Sequence, residues 1–438
     1  MAKLGSTVNL KKYVKNILNN LNYWKKMGFI KAVLEKPCRL FNQRTFSRLK
    51  SSLEHLFYSY NETREHPTTV YFDVSKVSSV DNKTGISRVV RSLLSNLLVR
   101  NKGFRIVPVA AYFFTEGYFI VNTHIVDGEL LFKSTRIKIS PTEGDFFISF
   151  EDEYNLQTFQ REQLKRYRND GCKIWIGLHD MIPIYFSEYY PKHFCRDFER
   201  WLLTVANFSN FICVSRSTQI DLLKWLTSRN LYTDKIKVKR FPLGCDLPRL
   251  KQMTKLSKNP EKLNINFLMV GTLEPRKNYS LVVEAFDFLW KNGFEGTLTI
   301  VGKYGWMMNK LKRKLENHPL LNKRLFYLGQ ISDTQISEVY KNSDCVIMAS
   351  TTEGYGLPIV EASNFGCYLI LNDIPIFKEV AGAGAFFIKM SSPLILAEGI
   401  LNWSYLFNNG DAPKSLKIKQ VTWDESCEIM ISEVTQAQ

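Results

Sequence analysis

The sequence has 438 residues, 45% of them hydrophobic, and its formal net charge at pH 7 is +17. This length exceeds one ordinary hydrophobic core and suits two domains of roughly 150–200 residues each. The apolar content excludes a disordered chain, and the lack of an uninterrupted apolar run of about 18 residues argues against a membrane-spanning helix.

The first sixty residues form a basic segment that differs from the rest of the chain. Residues 1–50 hold twelve Lys or Arg against one acid, Glu35. In residues 1–34, apolar side chains recur at helical spacing with lysines between them, which predicts a basic amphipathic helix. Two interpretations stay open: the helix lies on an anionic membrane surface, or its apolar stripe packs on the protein body.

The eight cysteines form no CxxC pair, and most lie inside apolar runs such as residues 211–214. We predict buried, reduced thiols and therefore a cytoplasmic protein. The N-terminus also lacks the short apolar core and cleavage site of a secretory signal. If the basic helix binds membrane, the location becomes peripheral on the inner face of the cytoplasmic membrane.

Strands and helices alternate from residue 68 to residue 245, which predicts a parallel sheet covered by helices on both faces. The predicted strands cover residues 70–74, 104–109, 146–150, 172–178, 210–214 and 235–241. The predicted helices cover residues 85–100, 157–168, 194–206 and 217–227.

Residues 246–263 are polar, contain two prolines and predict an interdomain linker. A second alternating series fills residues 264–415, and residues 416–438 carry a last helix expected to return to the first domain. The predicted strands of this series are 265–270, 297–301, 325–328, 345–348 and 367–371, and its helices are 277–290, 306–317, 334–340 and 357–365. The fold class is therefore α/β, with two Rossmann-like, doubly wound parallel-sheet domains facing a central cleft.

The segment most specific for function is Thr352-Glu-Gly-Tyr-Gly-Leu-Pro-Ile-Val-Glu-Ala362, which follows an apolar strand. Its glycines allow close backbone approach, and its proline suits the first turn of a helix whose N–H groups attract an anion. Two carboxylates, Glu353 and Glu361, would repel a phosphate but would bind sugar or ribose hydroxyls. The alternatives are a helix-capping acid at 353 and a solvated acid at 361.

A second segment, Val270-Gly-Thr-Leu-Glu-Pro-Arg-Lys-Asn278, joins the first strand of the second domain to its first helix. Open parallel sheets bind ligands at this carboxyl edge. Arg276 and Lys277 can clamp a diphosphate there, Arg through a bidentate fork and Lys as a point charge. A pair of solvated cations is disfavoured, because a helix N-terminus repels cations that no anion accompanies.

Together these segments resemble glycosyltransferase family 4, and within it the branch of bacterial O-antigen mannosyltransferase-like enzymes. Four further segments carry the resemblance, among them 302–306 (Gly-Lys-Tyr-Gly-Trp), 328–333 (Leu-Gly-Gln-Ile-Ser-Asp) and 179–183 (His-Asp-Met-Ile-Pro). Residues 81–88 look like the family's Thr-Gly-Ile-x-Arg loop. One departure is Thr272, where many members carry Arg. The resemblance implies the GT-B fold.

The resemblance also implies a role for each matching residue. Arg276 and Lys277 neutralise the donor diphosphate, Glu353 holds sugar hydroxyls, Glu361 holds ribose hydroxyls, and His179 lies near the reactive face of the transferred sugar. Taken alone, a histidine such as His179 is more often structural. The residues expected to bind the donor are Gly85, Gly271, Arg276, Lys277, Ile331, Glu353, Gly356, Leu357 and Glu361.

The implied activity is a retaining, metal-independent transfer of a hexose from a nucleotide-diphosphate sugar. The resemblance favours GDP-mannose, and UDP- and dTDP-sugars stay open as donors. The expected acceptor is a glycan or lipid-linked glycan of an O-antigen, a capsule or a related polysaccharide. No cofactor is expected, and the sequence has no Asp-x-Asp triplet to suggest a metal.

Two other functions stay open from the sequence. A sugar-nucleotide epimerase of the same fold would need acid and base residues on both faces of the sugar, a set we cannot identify. The charge of +17 also suits a nucleic-acid-binding protein, but no RNA-binding or zinc-finger signature accompanies it. We therefore expect no nucleic-acid partner.

Overall fold

The computed structural model describes residues 68–79, 84–99, 103–111, 117–126, 129–151, 158–245 and 264–436. The predicted N-terminal helix and the predicted linker at 246–263 lie outside these residues. Within them, no helix combines the length and the apolar character that crossing a bilayer requires.

The first half of the described chain is built on an eight-stranded sheet of order β4-β3-β2-β1-β5-β6-β7-β8. Six neighbouring strands, β2, β1, β5, β6, β7 and β8, pair in parallel. The other two, β3 and β4, add an antiparallel hairpin at one edge. The strands are β1 Thr69–Asp73, β2 Arg105–Ala110, β3 Phe119–Val126, β4 Glu129–Lys138, β5 Phe146–Ser149, β6 Lys173–Leu178, β7 Asn210–Cys213 and β8 Val238–Arg240.

Helices pack on this sheet through apolar stripes that the sequence spacing predicts. In α2 the buried residues include Val89, Val90, Leu93, Leu94 and Leu97, which share one helical face. The helices of this half are α1 Ser75–Ser79, α2 Gly85–Val99, α3 Thr158–Asn169, α4 Ile182–Tyr185, α5 Lys192–Val205 and α6 Arg216–Ser228.

The second half contains a six-stranded, all-parallel sheet of order β11-β10-β9-β12-β13-β14. Its internal strands β12 and β13 are buried throughout, as expected for a sheet covered on both faces. Its strands are β9 Asn266–Val270, β10 Thr297–Val301, β11 Leu325–Gly329, β12 Cys345–Met348, β13 Tyr368–Asn372 and β14 Phe386–Ile388. Its helices are α7 Tyr279–Lys291, α8 Asn309–Glu316, α9 Asp333–Asn342, α10 Leu357–Asn364, α11 Pro375–Ala381 and α12 Pro393–Asn409. The predicted fold class, two parallel-sheet α/β units, is confirmed.

The last helix, α13 Trp423–Thr435, lies against the first half of the chain. It begins at a capping box in which Thr422 and Glu425 satisfy each other's backbone N–H groups. The Cys427 thiol donates to the Leu93 carbonyl of α2 over 3.5 Å, and the Ser426 hydroxyl donates to the Pro242 carbonyl over 2.6 Å. The chain therefore crosses from the second sheet back to the core of the first.

The sequence prediction misses α1, α4, α11, α12 and β14, and two further differences have a clear physical reason. The hairpin of β3 and β4 is not predicted, because its second strand is an edge strand that carries polar residues among its apolar ones. The helix predicted at 306–317 begins only at Asn309, because Met307 has a φ of 60°, which a right-handed helix cannot contain.

Candidate active site

The second sheet has a crevice where its strand order reverses. From β9 the chain moves outward to β10 and β11 and then returns to β12 on the other side of β9. The loops that follow β9 and β12, residues 271–278 and 349–356, therefore leave the same edge in opposite directions. Ligands of open α/β sheets bind in such a crevice.

The loop after β9 is shaped by close backbone packing. Gly271 has a φ of 134°, and a Cβ on the neighbouring Gly302 would lie only 1.9 Å from the Gly271 carbonyl oxygen. A short 3-10 helix, Pro275–Lys277, follows and ends at Asn278, whose side-chain amide donates to the Ala349 carbonyl over 3.1 Å. The loop after β9 is thus tied to the loop after β12.

Three of the predicted site residues meet in this crevice. One carboxylate oxygen of Glu353 accepts from the Lys277 ammonium at 2.8 Å and from the Ser350 hydroxyl at 2.9 Å. The other oxygen lies 2.6 Å from Nη1 of Arg276. Burial alone would raise the pKa of Glu353, but the charges of Arg276 and Lys277 outweigh it and lower that pKa to about 2. Glu353 is therefore a fixed anion, not a helix-capping acid.

Arg276 is shared between two carboxylates, a feature the sequence did not predict. Its Nη2 lies 2.6 Å from Glu274, its Nη1 also donates to the Thr352 carbonyl over 3.0 Å, and its side chain is 12% exposed. Burial disfavours the charge of Arg276, yet Glu353 and Glu274 raise its pKa. Burial raises the pKa of Glu274, and the positive charge of Arg276 acts in the opposite direction. Of the two cations, Arg276 is the more completely engaged by the protein.

His179 lies in the loop that follows β6 of the first sheet, and its imidazole packs beside Phe150, with the ring centroids 6.0 Å apart. Its Nε2 lies 2.8 Å from the Phe150 carbonyl, and because a carbonyl only accepts, Nε2 carries the proton. A Cβ on Gly354 would lie 2.0 Å from the His179 carbonyl oxygen, so the two backbones touch. The next residue, Asp180, was not singled out from the sequence, although the His-Asp pair is visible there. Burial raises the pKa of Asp180, and Arg276 opposes that change.

Further contacts bring the two halves together around the crevice. The indole N–H of Trp306 donates to the Tyr189 carbonyl over 2.6 Å, and the rings of Trp306 and Tyr190 lie 5.1 Å apart. The Thr351 hydroxyl donates to the Tyr189 hydroxyl over 3.0 Å. The Glu379 carboxylate of α11 accepts from the first two backbone N–H groups of α6, at 2.7 and 2.9 Å. These contacts hold three segments of the second half, one of them the loop that carries Glu353, against the first half.

Glu361 lies farther along α10 and has its own partners. It accepts from the Tyr340 hydroxyl at 2.7 Å and from the Arg88 guanidinium of the first half, and its side chain is 5% exposed. It is therefore not a solvated acid on a helix face. Tyr340 and Arg88 could not be paired with it from the sequence, because 21 and 273 residues separate them from Glu361.

The remaining predicted residues lie at the ends of strands or the starts of helices. Gly356 caps the N-terminus of α10 with a φ of 98°, and Leu357 is the first residue of that helix. Ile331 follows β11 and is half-buried, and the exposed Gly85 begins α2. Gly356 thus ends the loop that carries Glu353 and Leu357 begins the helix after it, whereas Ile331 and Gly85 come from two other segments.

Comparisons with known proteins agree on one family. Residues 251–409 match the model for glycosyl transferases group 1. The chain is 32% identical over 392 residues to the serotype-specific mannosyltransferase WbdA of Escherichia coli, a match that covers 85% of this chain and 45% of that relative. It is also 27% identical over 220 residues to O-antigen chain mannosyltransferase B of Escherichia coli, covering 47% of this chain and 54% of the relative.

The fold also matches solved structures. The crystal structure of HepE from Anabaena in complex with UDP-glucose aligns with a TM-score of 0.52 and 13% identity, over 84% of this chain and 97% of that one. At this identity the likeness concerns the fold, which is GT-B. The chain spans less than half the length of WbdA.

Proposed function

The chain carries a glycosyltransferase group 1 domain, and from that premise we propose that it is a retaining hexosyltransferase with a nucleotide-diphosphate sugar as donor. The observation that carries the proposal is the meeting of Arg276, Lys277 and Glu353 at the switch point of the second sheet. A carboxylate held by two cations can accept hydrogen bonds from sugar hydroxyls while the cations face a phosphate.

The donor diphosphate is proposed to bind where the loop after β9 meets the start of α10. Lys277 supplies a positive charge beside Gly271, whose missing Cβ would lie 3.2 Å from the ammonium nitrogen. The N-terminus of α10 has no side-chain cap, so its first backbone N–H groups can donate to phosphate oxygens. Arg276 is already paired with two carboxylates. It mainly holds Glu353 in place, and its positive charge also attracts the nearby diphosphate.

The proposed reaction proceeds on one face of the sugar. The bond between C1 and the diphosphate oxygen breaks, and an acceptor hydroxyl oxygen forms a bond to C1 on the same face. The acceptor proton passes to the departing phosphate, which leaves as a nucleoside diphosphate. Lys277 and the α10 N–H groups stabilise the negative charge that develops on the phosphate. His179 orients the acceptor or the sugar near C1.

For the donor we propose GDP-mannose, and for the acceptor a growing cell-surface glycan or its lipid-linked precursor. The support is the identity to relatives named as mannosyltransferases. We propose further that the protein works at the cytoplasmic face of the membrane, where the basic residues 1–34 would meet anionic lipid. The family assignment favours transfer over the epimerase and nucleic-acid-binding alternatives.

The test is a donor screen on the full chain. Purified protein is incubated with GDP-mannose, UDP-glucose, UDP-galactose or dTDP-rhamnose, with an undecaprenyl-diphosphate-linked glycan as acceptor, and the nucleoside diphosphate released is measured. We expect nucleoside diphosphate to be released from one donor, GDP-mannose, and the product to show an α linkage by NMR. Release must persist in EDTA, because Arg276 and Lys277 supply the charge that a metal would otherwise provide. An inverted product or EDTA-sensitive turnover would reject the corresponding part of the proposal.

A further inference from the structure

The carboxylate of Glu361 is fixed from two directions. Tyr340 of α9 donates to one oxygen over 2.7 Å, and Arg88 of α2 donates to the other. A carboxylate has about four acceptor positions, so these two bonds leave roughly one open on each oxygen. Because each oxygen has its own donor, rotation of the carboxylate plane would break one of the two bonds.

Tyr340 is itself immobile. Its side chain is fully buried, and its ring stacks on Phe365 at 5.3 Å with an interplanar angle of 5°. Burial and the neighbouring Glu361 charge raise the pKa of Tyr340 well above its usual value, so the hydroxyl stays protonated. Phe365 directly follows the helix that carries Glu361, so the stacking holds the Tyr340 ring against that helix. The bond therefore holds Glu361 in one rotamer.

Arg88 contributes from the opposite half of the molecule. It lies in the first turn of α2, at the edge of the cleft, and its side chain is 34% exposed whereas that of Glu361 is 5% exposed. Arg88 is therefore the solvent-facing partner of this ion pair. The contact between Arg88 and Glu361 exists only when the two halves of the molecule are together. The orientation of the Glu361 carboxylate therefore depends on both halves.

Resting on the proposed function and on the role that the family resemblance implies for Glu361, which is to bind the donor ribose, we infer that Tyr340 and Arg88 are positioning residues that aim the Glu361 carboxylate at the 2′- and 3′-hydroxyls. A vicinal diol presents two donors side by side, and one carboxylate in a fixed plane can accept both. When the carboxylate turns freely, one of the two bonds is lost. Recognition of ribose is then completed by Arg88, a residue of the half that does not carry Glu361.

The experiment measures ribose discrimination directly. Dissociation constants of GDP and UDP and of their 2′,3′-dideoxy forms are determined by calorimetry on the full chain. For the nucleotide that binds, the wild-type ratio of dideoxy to ribo dissociation constants is expected to be about tenfold or more, because the dideoxy form lacks both hydroxyls that donate to a charged carboxylate. Glu361→Gln serves as the reference for a weakened ribose contact.

Tyr340→Phe keeps the stacked ring and removes only the hydroxyl, and Arg88→Ala removes the second donor. Each is expected to lower the discrimination ratio at least threefold through weaker ribonucleotide binding, with dideoxy binding unchanged. Tyr368→Phe, a buried tyrosine packed on Trp403 and Phe407, and Arg91→Ala, one turn along α2, are the matched controls. Both controls are expected to keep the wild-type ratio.

The outcomes separate this inference from the proposed function. If Tyr340→Phe and Arg88→Ala fold and keep the wild-type ratio, the positioning role is rejected while nucleotide binding stands. If the wild type binds ribo and dideoxy forms equally well, Glu361 does not bind ribose, and the inference is rejected with it. If the wild type binds neither GDP nor UDP, the proposed function itself is contradicted.

Discussion

Gly354 of the second half lies in direct backbone contact with His179 of the first half. A Cβ on Gly354 would be 2.0 Å from the His179 carbonyl oxygen, a separation that real Cβ atoms do not reach. The neighbouring Thr218 hydroxyl lies within hydrogen-bonding distance of the carbonyls of both residues, at 3.3 and 3.4 Å. The position of Glu353, one residue earlier, therefore depends on a glycine that lets two backbones meet.

The first prediction concerns that contact. Gly354→Ala must move the loop away from His179 by on the order of 1 Å, and a displacement of that size can cost about 100-fold in rate. We expect kcat to fall by about that factor in a steady-state transfer assay, with an unchanged far-UV circular dichroism spectrum. Wild-type turnover in the alanine variant would mean that the close approach does not position the reacting groups.

The second prediction uses the charge of Glu353. Its pKa in the folded protein is about 2, against an ordinary value of 4.5, so its ion pairs stabilise the fold above pH 4.5 and are lost as the pH falls towards 2. We expect the stability difference between the wild type and Glu353→Gln to shrink by about 3 kcal/mol over that interval. Urea unfolding at a series of pH values measures it, and a constant difference would contradict the pairing. Transfer activity of this variant is expected to fall strongly at pH 7.

The third prediction separates Lys277 from ordinary surface charge. Lys277→Ala removes the cation beside Gly271, and we expect the donor nucleotide to bind about 10-fold more weakly, since a charge-assisted hydrogen bond is lost. Isothermal calorimetry with GDP and UDP measures the effect. Lys291→Ala, at the exposed end of α7, is the matched control and is expected to bind like the wild type. If both variants bind the nucleotide with equal affinity, Lys277 does not contact the phosphates.

The fourth prediction tests the basic N-terminal segment, which lies outside the described residues. Deletion of residues 1–60 is expected to reduce sedimentation with vesicles that contain phosphatidylglycerol, because twelve of the positive charges lie in residues 1–50. Nucleotide affinity is expected to stay at the full-length value. Undiminished pelleting of the shortened chain with the same vesicles would locate the membrane affinity elsewhere, and loss of nucleotide binding would show that the segment supports the fold.

Most strands of the two parallel sheets could be predicted from the sequence because their patterns are local, whereas the three-residue strand β14 was not predicted. Buried strands such as β12 appear as short apolar runs, and α2 shows its stripe at helical spacing. The hairpin of β3 and β4 was missed because an edge strand with mixed polarity gives no comparable pattern. The roles assigned to individual donor-site residues, and the domain boundaries, stay predictions.

By itself the sequence determined which side chains follow which strand: Arg276 and Lys277 after β9, Glu353 after β12 and His179 after β6. Strand order, which only the tertiary structure decides, placed the loops after β9 and β12 at one crevice. Tertiary structure alone also paired Arg276 with two carboxylates and Glu361 with Arg88. The physical reason is that hydrophobic periodicity is a short-range property of the chain, whereas these ion pairs depend on how neighbouring loops, and the two halves, are arranged in space.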